Sequence, residues 1–176
     1  MQIRNTTPKM AAIILTFGYV ALWLFFIGLV YPVEAGSRLT AKQTHYAKMI
    51  ERTCEADKAV WRYDKDFDCR MLVAICEVES DLRPYVTGDD GWSHGLCQPQ
   101  KRTVEDFGFA GSVKDLYNPA INSRYAGRVL NHCFTKWDDW EYAAACYNRG
   151  YNWTRIHYQL APKINYVEKF NRKRRK

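Results

Sequence analysis

The chain has 176 residues, 47% of them hydrophobic and 26% charged, and carries a formal charge of +7. That length and balance fit one compact domain and exclude a globally disordered chain. Aromatic residues reach 15%, enough to fill a core and also to stack on the apolar faces of sugars or bases. The basic excess favours anionic partners, but no recognisable nucleic-acid module occurs and nucleic acid is not expected among them.

Residues 1–9 carry Arg4 and Lys9 and precede an uncharged apolar run at 10–31. At about 1.5 Å per residue, a helix of that length crosses a hydrocarbon core of roughly 30 Å. The preceding cations favour a cytoplasmic N-terminus with the remaining chain outside. Val33-Glu34-Ala35 before Gly36 leaves a cleaved signal as the alternative. Either reading predicts a domain at 36–171 in the periplasm or otherwise outside the cytoplasm, anchored in the membrane or secreted. Residues 172–176 are all basic and read as a tail, either solvated or drawn to an anionic polymer or lipid surface.

All six cysteines (Cys54, Cys69, Cys76, Cys97, Cys133, Cys146) follow the apolar run. An even number in an exported domain predicts disulfides, although six cysteines allow about 15 connectivities. Proximity in sequence favours Cys54 with Cys69 and Cys133 with Cys146.

Helix-forming residues and apolar spacing predict helices at 40–58 and 69–80, separated by an Asp-rich loop at 63–69. Pro84, Gly88 and Gly91 mark a loop extending to Pro99, with a small hairpin at 85–99 as the one strand candidate. A short helix follows at 103–107, and Asn118-Pro119 opens a longer one. Further helices are expected at 137–147 and, amphipathic through Ile164, Val167 and Phe170, at 162–173. The fold class is therefore mainly α, one helical domain with a small hairpin, preceded by one transmembrane or signal helix.

In the helix at 69–80, Leu72, Ile75, Cys76 and Glu79 share one face, and Glu77 is expected to point toward solvent. A carboxylate ending an apolar stripe is partly desolvated, which raises its pKa and suits it to acid chemistry near neutral pH. Periodicity alone also allows a structural glutamate that pairs with a surface cation such as Arg83. His94 with Cys97, and His132 with Cys133, form no clean tetrahedral set, so neither metal nor cofactor is expected.

Three short motifs follow in order: Glu79-Ser80, Gly95-Leu96-Cys97-Gln98, and Ala145-Cys146-Tyr147-Asn148-Arg149-Gly150. Leu82, Pro84, Asp115-Leu116, Asn118-Pro119, Asn122, Gly127, Pro162 and Tyr166-Val167 extend the pattern. Together they resemble the lysozyme-like lytic transglycosylases over about 74–167. The departures are Cys97 for a methionine, Gly88 for a serine, and a loop one residue longer. The stretch TGDDGWSHGLCQ is also similar to the corresponding loop of goose-type lysozymes.

The resemblance implies an α+β lysozyme-like fold and an enzyme that cleaves the MurNAc-β-1,4-GlcNAc bond of peptidoglycan, leaving 1,6-anhydromuramic acid. It implies Glu79 as the catalytic acid and base, with Ser80, Gln98, Tyr147, Asn148 and Tyr166 around the substrate. Trp92, Tyr117, Tyr151 and Trp153 are candidates for sugar stacking. The alternatives are a hydrolytic muramidase with Asp89 or Asp90 as a second carboxylate, and a non-catalytic wall-binding protein. Expected partners are glycan strands, the membrane through 10–31, and an envelope-spanning apparatus as one possible setting.

Overall fold

A computed structural model describes residues 39–174. The apolar run at 10–31, with its expected anchor or signal helix, lies outside the described residues. Among the described residues no helix is long and apolar enough to cross a membrane. They form one mainly helical unit beginning at Leu39.

The order is α1 (Ala41–Trp61), α2 (Cys69–Ser80), β1 (Thr87–Gly88), β2 (Ser93–His94), α3 (Lys101–Glu105), α4 (Pro119–Trp137), α5 (Trp140–Arg149), α6 (Tyr151–Ile156) and α7 (Asn165–Arg174). Local chemistry sets the boundaries. Thr40 and Gln43 form a capping box at the start of α1, and the Asp68 side chain accepts from Arg70 N to open α2; such caps satisfy amide groups that the first turn leaves unpaired. Asn118 caps α4, with Pro119 in the first turn. The expected helix at 137–147 divides differently: Trp137 ends α4, Asp138 turns into the left-handed region, and Asp139 caps α5. The short helix α6 was not anticipated, since six residues are too few to display a helical period.

β1 and β2 pair antiparallel, Thr87 with His94 and Gly88 with Ser93, which is the hairpin expected in that loop. The main core gathers Ile50, Phe67, Leu72, Ile75, Leu130, Val167 and Phe170 from α1, α2, α4, α7 and the α1–α2 loop. A smaller cluster of Val104, Phe109, Leu116 and Val129 lies between α3, the following turn and α4. Tyr147 packs against both. Helix α1 is tied to α4 by a buried ion pair in which Arg128 Nε and Nη2 donate to Asp57 at 2.8 and 2.9 Å. The Tyr63 hydroxyl donates to the same carboxylate at 3.2 Å.

Three disulfides join Cys54 to Cys69, Cys76 to Cys97 and Cys133 to Cys146. The first and third are those expected from proximity. Each closes a loop of the size for which cross-linking contributes about 3 kcal/mol. The second binds α2 to the loop after β2, so Cys97, where the family pattern has methionine, contributes a covalent link.

Two expectations are corrected here. Glu77 is buried, not solvent-facing, and its carboxylate pairs with Lys173. Helix α7 packs along α2 and covers a face that a one-face reading of α2 assigned to water. Arg172, Lys173 and Arg174 are likewise the last turn of α7, paired with Glu168, Glu77 and Glu141 respectively, and not part of a free tail.

Candidate active site

Glu79 lies in the last turn of α2, one residue before the buried Ser80. Its position follows from the helix period, with Leu72, Ile75 and Cys76 on the core side beneath it. The carboxylate is half-buried and opens on a cleft of about 710 Å³. Asp89, Gln98, Thr103, His132, Asn148 and Tyr151 are among the other lining residues, so the hairpin, α3, α4, α5 and α6 all contribute to the walls.

Burial is the main influence on the Glu79 pKa, which is pushed up from 4.5 to about 7. The nearby Asp89 charge raises it further, and the Tyr166 hydroxyl, donating to Oε1 at 2.7 Å, works in the opposite direction. Desolvation wins over the hydrogen bond. The carboxyl group therefore exchanges its proton near neutral pH, the property required of one group acting first as acid and then as base. Burial, followed by the Glu79 charge, holds the phenols of Tyr147 and Tyr166 well above their ordinary range. Both remain neutral hydrogen-bond donors.

Beside Glu79 the loop 95–98 is held by one backbone bond, from Gly95 N to Val86 O at 2.8 Å, and otherwise by side chains. Ser80 is buried, and its hydroxyl donates to Leu96 O at 2.5 Å and accepts from Arg83 N at 3.0 Å. Gln98 donates from Nε2 to Val86 O and Gly95 O, at 2.9 and 2.7 Å. The Tyr147 hydroxyl donates to Cys97 O at 2.8 Å. Of the five residues expected around the substrate, Ser80 is therefore engaged within the protein and braces the loop. Gln98 lines the cleft but has its amide nitrogen engaged, and Tyr147 forms part of the wall while its hydroxyl is engaged. Asn148 is exposed in the cleft, and Tyr166 touches Glu79 directly.

Asn122 appeared in the sequence only as one position of a pattern, and its part in the site was missed. It is fully buried; Oδ1 accepts from Cys97 N at 2.8 Å, and Nδ2 donates to His94 O and Leu116 O at 2.7 and 2.6 Å. The arrangement explains two glycines. A Cβ on Gly95, at φ +76, would lie 2.3 Å from Leu116 O and 2.5 Å from Asn122 Nδ2. A Cβ on Gly88 would lie 2.5 Å from Gln98 Oε1, and the two bonds from Gln98 Nε2 leave that amide little freedom to withdraw. Glycine in place of the family's serine at position 88 thus fits the seat of Gln98.

Of the two loop carboxylates, Asp89 lines the cleft and accepts a hydrogen bond from Ser93 Oγ at 2.5 Å. Asp90 is exposed and does not line it. Among the stacking candidates, Tyr151 forms part of the cleft and Trp92 is 69% exposed on the hairpin. Tyr117 has its hydroxyl 2.5 Å from Thr87 Oγ1 and 3.1 Å from His94 Nδ1, and Trp153 packs against the core and His157. Asp106, His132 and Arg149 also line the cleft; Arg149 entered the sequence reading only as the variable position of the third motif, His132 only as half of a discounted metal grouping, and Asp106 not at all. Cys97 and Cys133 are disulfide-bonded, so the two His/Cys groupings offer no free thiolate.

The helical domain with its small hairpin thus carries a carboxyl of raised pKa at the end of a buried helix face, above an open cleft. The family model for the transglycosylase SLT domain matches residues 58–165, more than half of the chain, and the chain belongs to that family. Membership implies a transglycosylase-type, peptidoglycan-cleaving enzyme with peptidoglycan as its substrate. Comparisons with curated proteins and with solved structures gave no match.

Proposed function

We propose that the protein is a lytic transglycosylase that cleaves the MurNAc-β-1,4-GlcNAc bond with Glu79 as its single acid and base. The observation that carries this reading is the half-buried Glu79 carboxyl at the cleft, with desolvation pushing its pKa to about 7. Protonated Glu79 gives its proton to the glycosidic oxygen as the bond to C1 breaks. The resulting carboxylate takes the proton of the muramic acid C6 hydroxyl, whose oxygen bonds to C1. A 1,6-anhydro sugar forms and no water is consumed. Tyr166 steadies the carboxylate after the first transfer, and Asn148 offers an amide to the N-acetyl group or ring hydroxyls. Residues 10–31 hold the domain at the membrane on the far side from the cytoplasm, where peptidoglycan lies. Cutting at that place suits remodelling or the insertion of an envelope-spanning apparatus.

A second reading is favoured by Asp89 alone. A carboxylate lining the same cleft as Glu79 can position a water, and the reaction would then be hydrolysis. Mass spectrometry of purified peptidoglycan after digestion separates the two: anhydromuropeptides support transglycosylation, and reducing ends support hydrolysis. Glu79→Gln abolishes release under both readings, and full activity in that variant would refute both. Asp89→Asn retains activity under the first reading and loses it under the second.

A further inference from the structure

Tyr151 of the cleft wall belongs to a cluster of four aromatic rings that the mechanism does not use. Trp137 ends α4, Tyr142 lies in α5, Tyr151 opens α6 and Tyr158 follows it. The rings of Tyr142 and Tyr158 stack at 4.5 Å with planes 17° apart, and Trp137 lies against Tyr142 at 5.4 Å and 23°. Trp137 also neighbours Tyr158 at 5.7 Å and Tyr151 at 5.9 Å. Trp137 and Tyr142 pack on the core, whereas Tyr151 and Tyr158 belong to neither core cluster. They are 38% and 52% exposed. The exposed large hydrophobic residues concentrate here, with Tyr151, Ile156, Tyr158 and Leu160 within ten positions.

We propose that Trp137, Tyr142, Tyr151 and Tyr158 form a platform on which the glycan strand rests after leaving the cleft. The inference rests on the peptidoglycan-cleaving reading above and extends it to a binding surface outside the reacting centre. Continuity identifies the occupant, because Tyr151 belongs both to the cleft wall and to the ring cluster. A polymeric substrate has to continue past the rim of a cleft of about 710 Å³, and at this rim it meets rings. The exposed sides of Tyr151 and Tyr158, with the stacked rings of Trp137 and Tyr142 holding Tyr158 from behind, match a pyranose, which presents an apolar face and a polar rim.

The test uses the full chain in detergent, with Glu79→Gln to prevent cleavage, co-sedimented with purified insoluble peptidoglycan. Adding Tyr158→Ala is expected to weaken retention about two- to tenfold, the range for losing one aromatic contact, whereas Tyr158→Phe retains it. Ile156→Ser, which alters an exposed apolar residue outside the ring cluster, is expected to leave retention unchanged. Thermal unfolding of each variant identifies any loss of fold, and Tyr158→Phe carries the test if Tyr158→Ala unfolds, since weakened retention in it would count against stacking. Equal retention by folded Tyr158→Ala and its parent overturns the platform and leaves the proposed function standing. A parent that binds no peptidoglycan at all overturns the proposed function first.

Discussion

Replacing Glu79 with glutamine should stabilise the protein at alkaline pH while removing its activity. Folding lifts the Glu79 pKa from 4.5 to about 7, so the folded state holds this proton more tightly than the unfolded chain. Stability linked to the proton is fully present below pH 4.5 and is lost as pH rises through about 7. At one pKa unit per 1.36 kcal/mol, the gap corresponds to a ceiling of about 3 kcal/mol at pH 8. Residual water at the cleft mouth reduces the expected gain to about 1–3 kcal/mol. Glutamine keeps the shape and can still accept the Tyr166 hydrogen bond, so the substitution removes the charge and little else. Chemical denaturation at pH 4 and pH 8, with the disulfides intact, reads the effect directly. Glu79→Gln should match the parent at pH 4 and exceed it at pH 8, and in a parallel thermal melt at pH 8 its Tm should be higher by about 2–4 °C per kcal/mol. An equal difference at both pH values, or a loss of stability at pH 8, would refute the claim that Glu79 carries a desolvated charge.

Tyr166→Phe removes a donor that favours the charged form of Glu79; such bonds contribute about 1.5–3 kcal/mol, reduced here because the carboxyl is only half-buried. The pH at which activity falls as Glu79 loses its proton should therefore move upward by about one unit, measured as muropeptide release between pH 5 and 9; an unmoved or lowered limb would count against the assignment. Asn122→Ala leaves three buried backbone groups without their partner, and a cost of about 3 kcal/mol is expected. Urea denaturation would check it, and a cost below about 1 kcal/mol would mean that the loop 95–98 is held mainly by its other links.

The fold was legible where local chemistry and tertiary packing agree. Helix α2 begins where expected because Asp68 caps its first turn, and its apolar period continues to Glu79 before Asp81 turns into the left-handed region. Glu77 was misread because a period on one helix identifies the face it buries against the core, but not whether another helix covers a second face. Helix α7, nearly a hundred residues away in sequence, does so through Lys173. At the cleft, the desolvated position of Glu79 was legible, and the bracing of the neighbouring loop was not. Ser80, Gln98 and Tyr147 occur in the same motifs as Glu79 and Asn148, which line the cleft, yet they hold the loop through long-range bonds to backbone groups. Backbone partners leave no trace in side-chain identity. Asp106 and His132 reach the cleft only through the packing of the helices around it, which no local pattern encodes.

The disulfides have a consequence for how the chain matures. Taken in chain order, the first cysteine joins the second, the third joins the fourth, and the fifth joins the sixth. No bridge encloses or crosses another, and the loops span only 15, 21 and 13 residues, so each costs less entropy to close than a pairing between distant cysteines. A chain that meets an oxidant from its N-terminal end onward reaches the native pairing simply by joining each new cysteine to the one still free before it. Such a scaffold can oxidise correctly as it emerges, with little need for thiol exchange to undo wrong pairs.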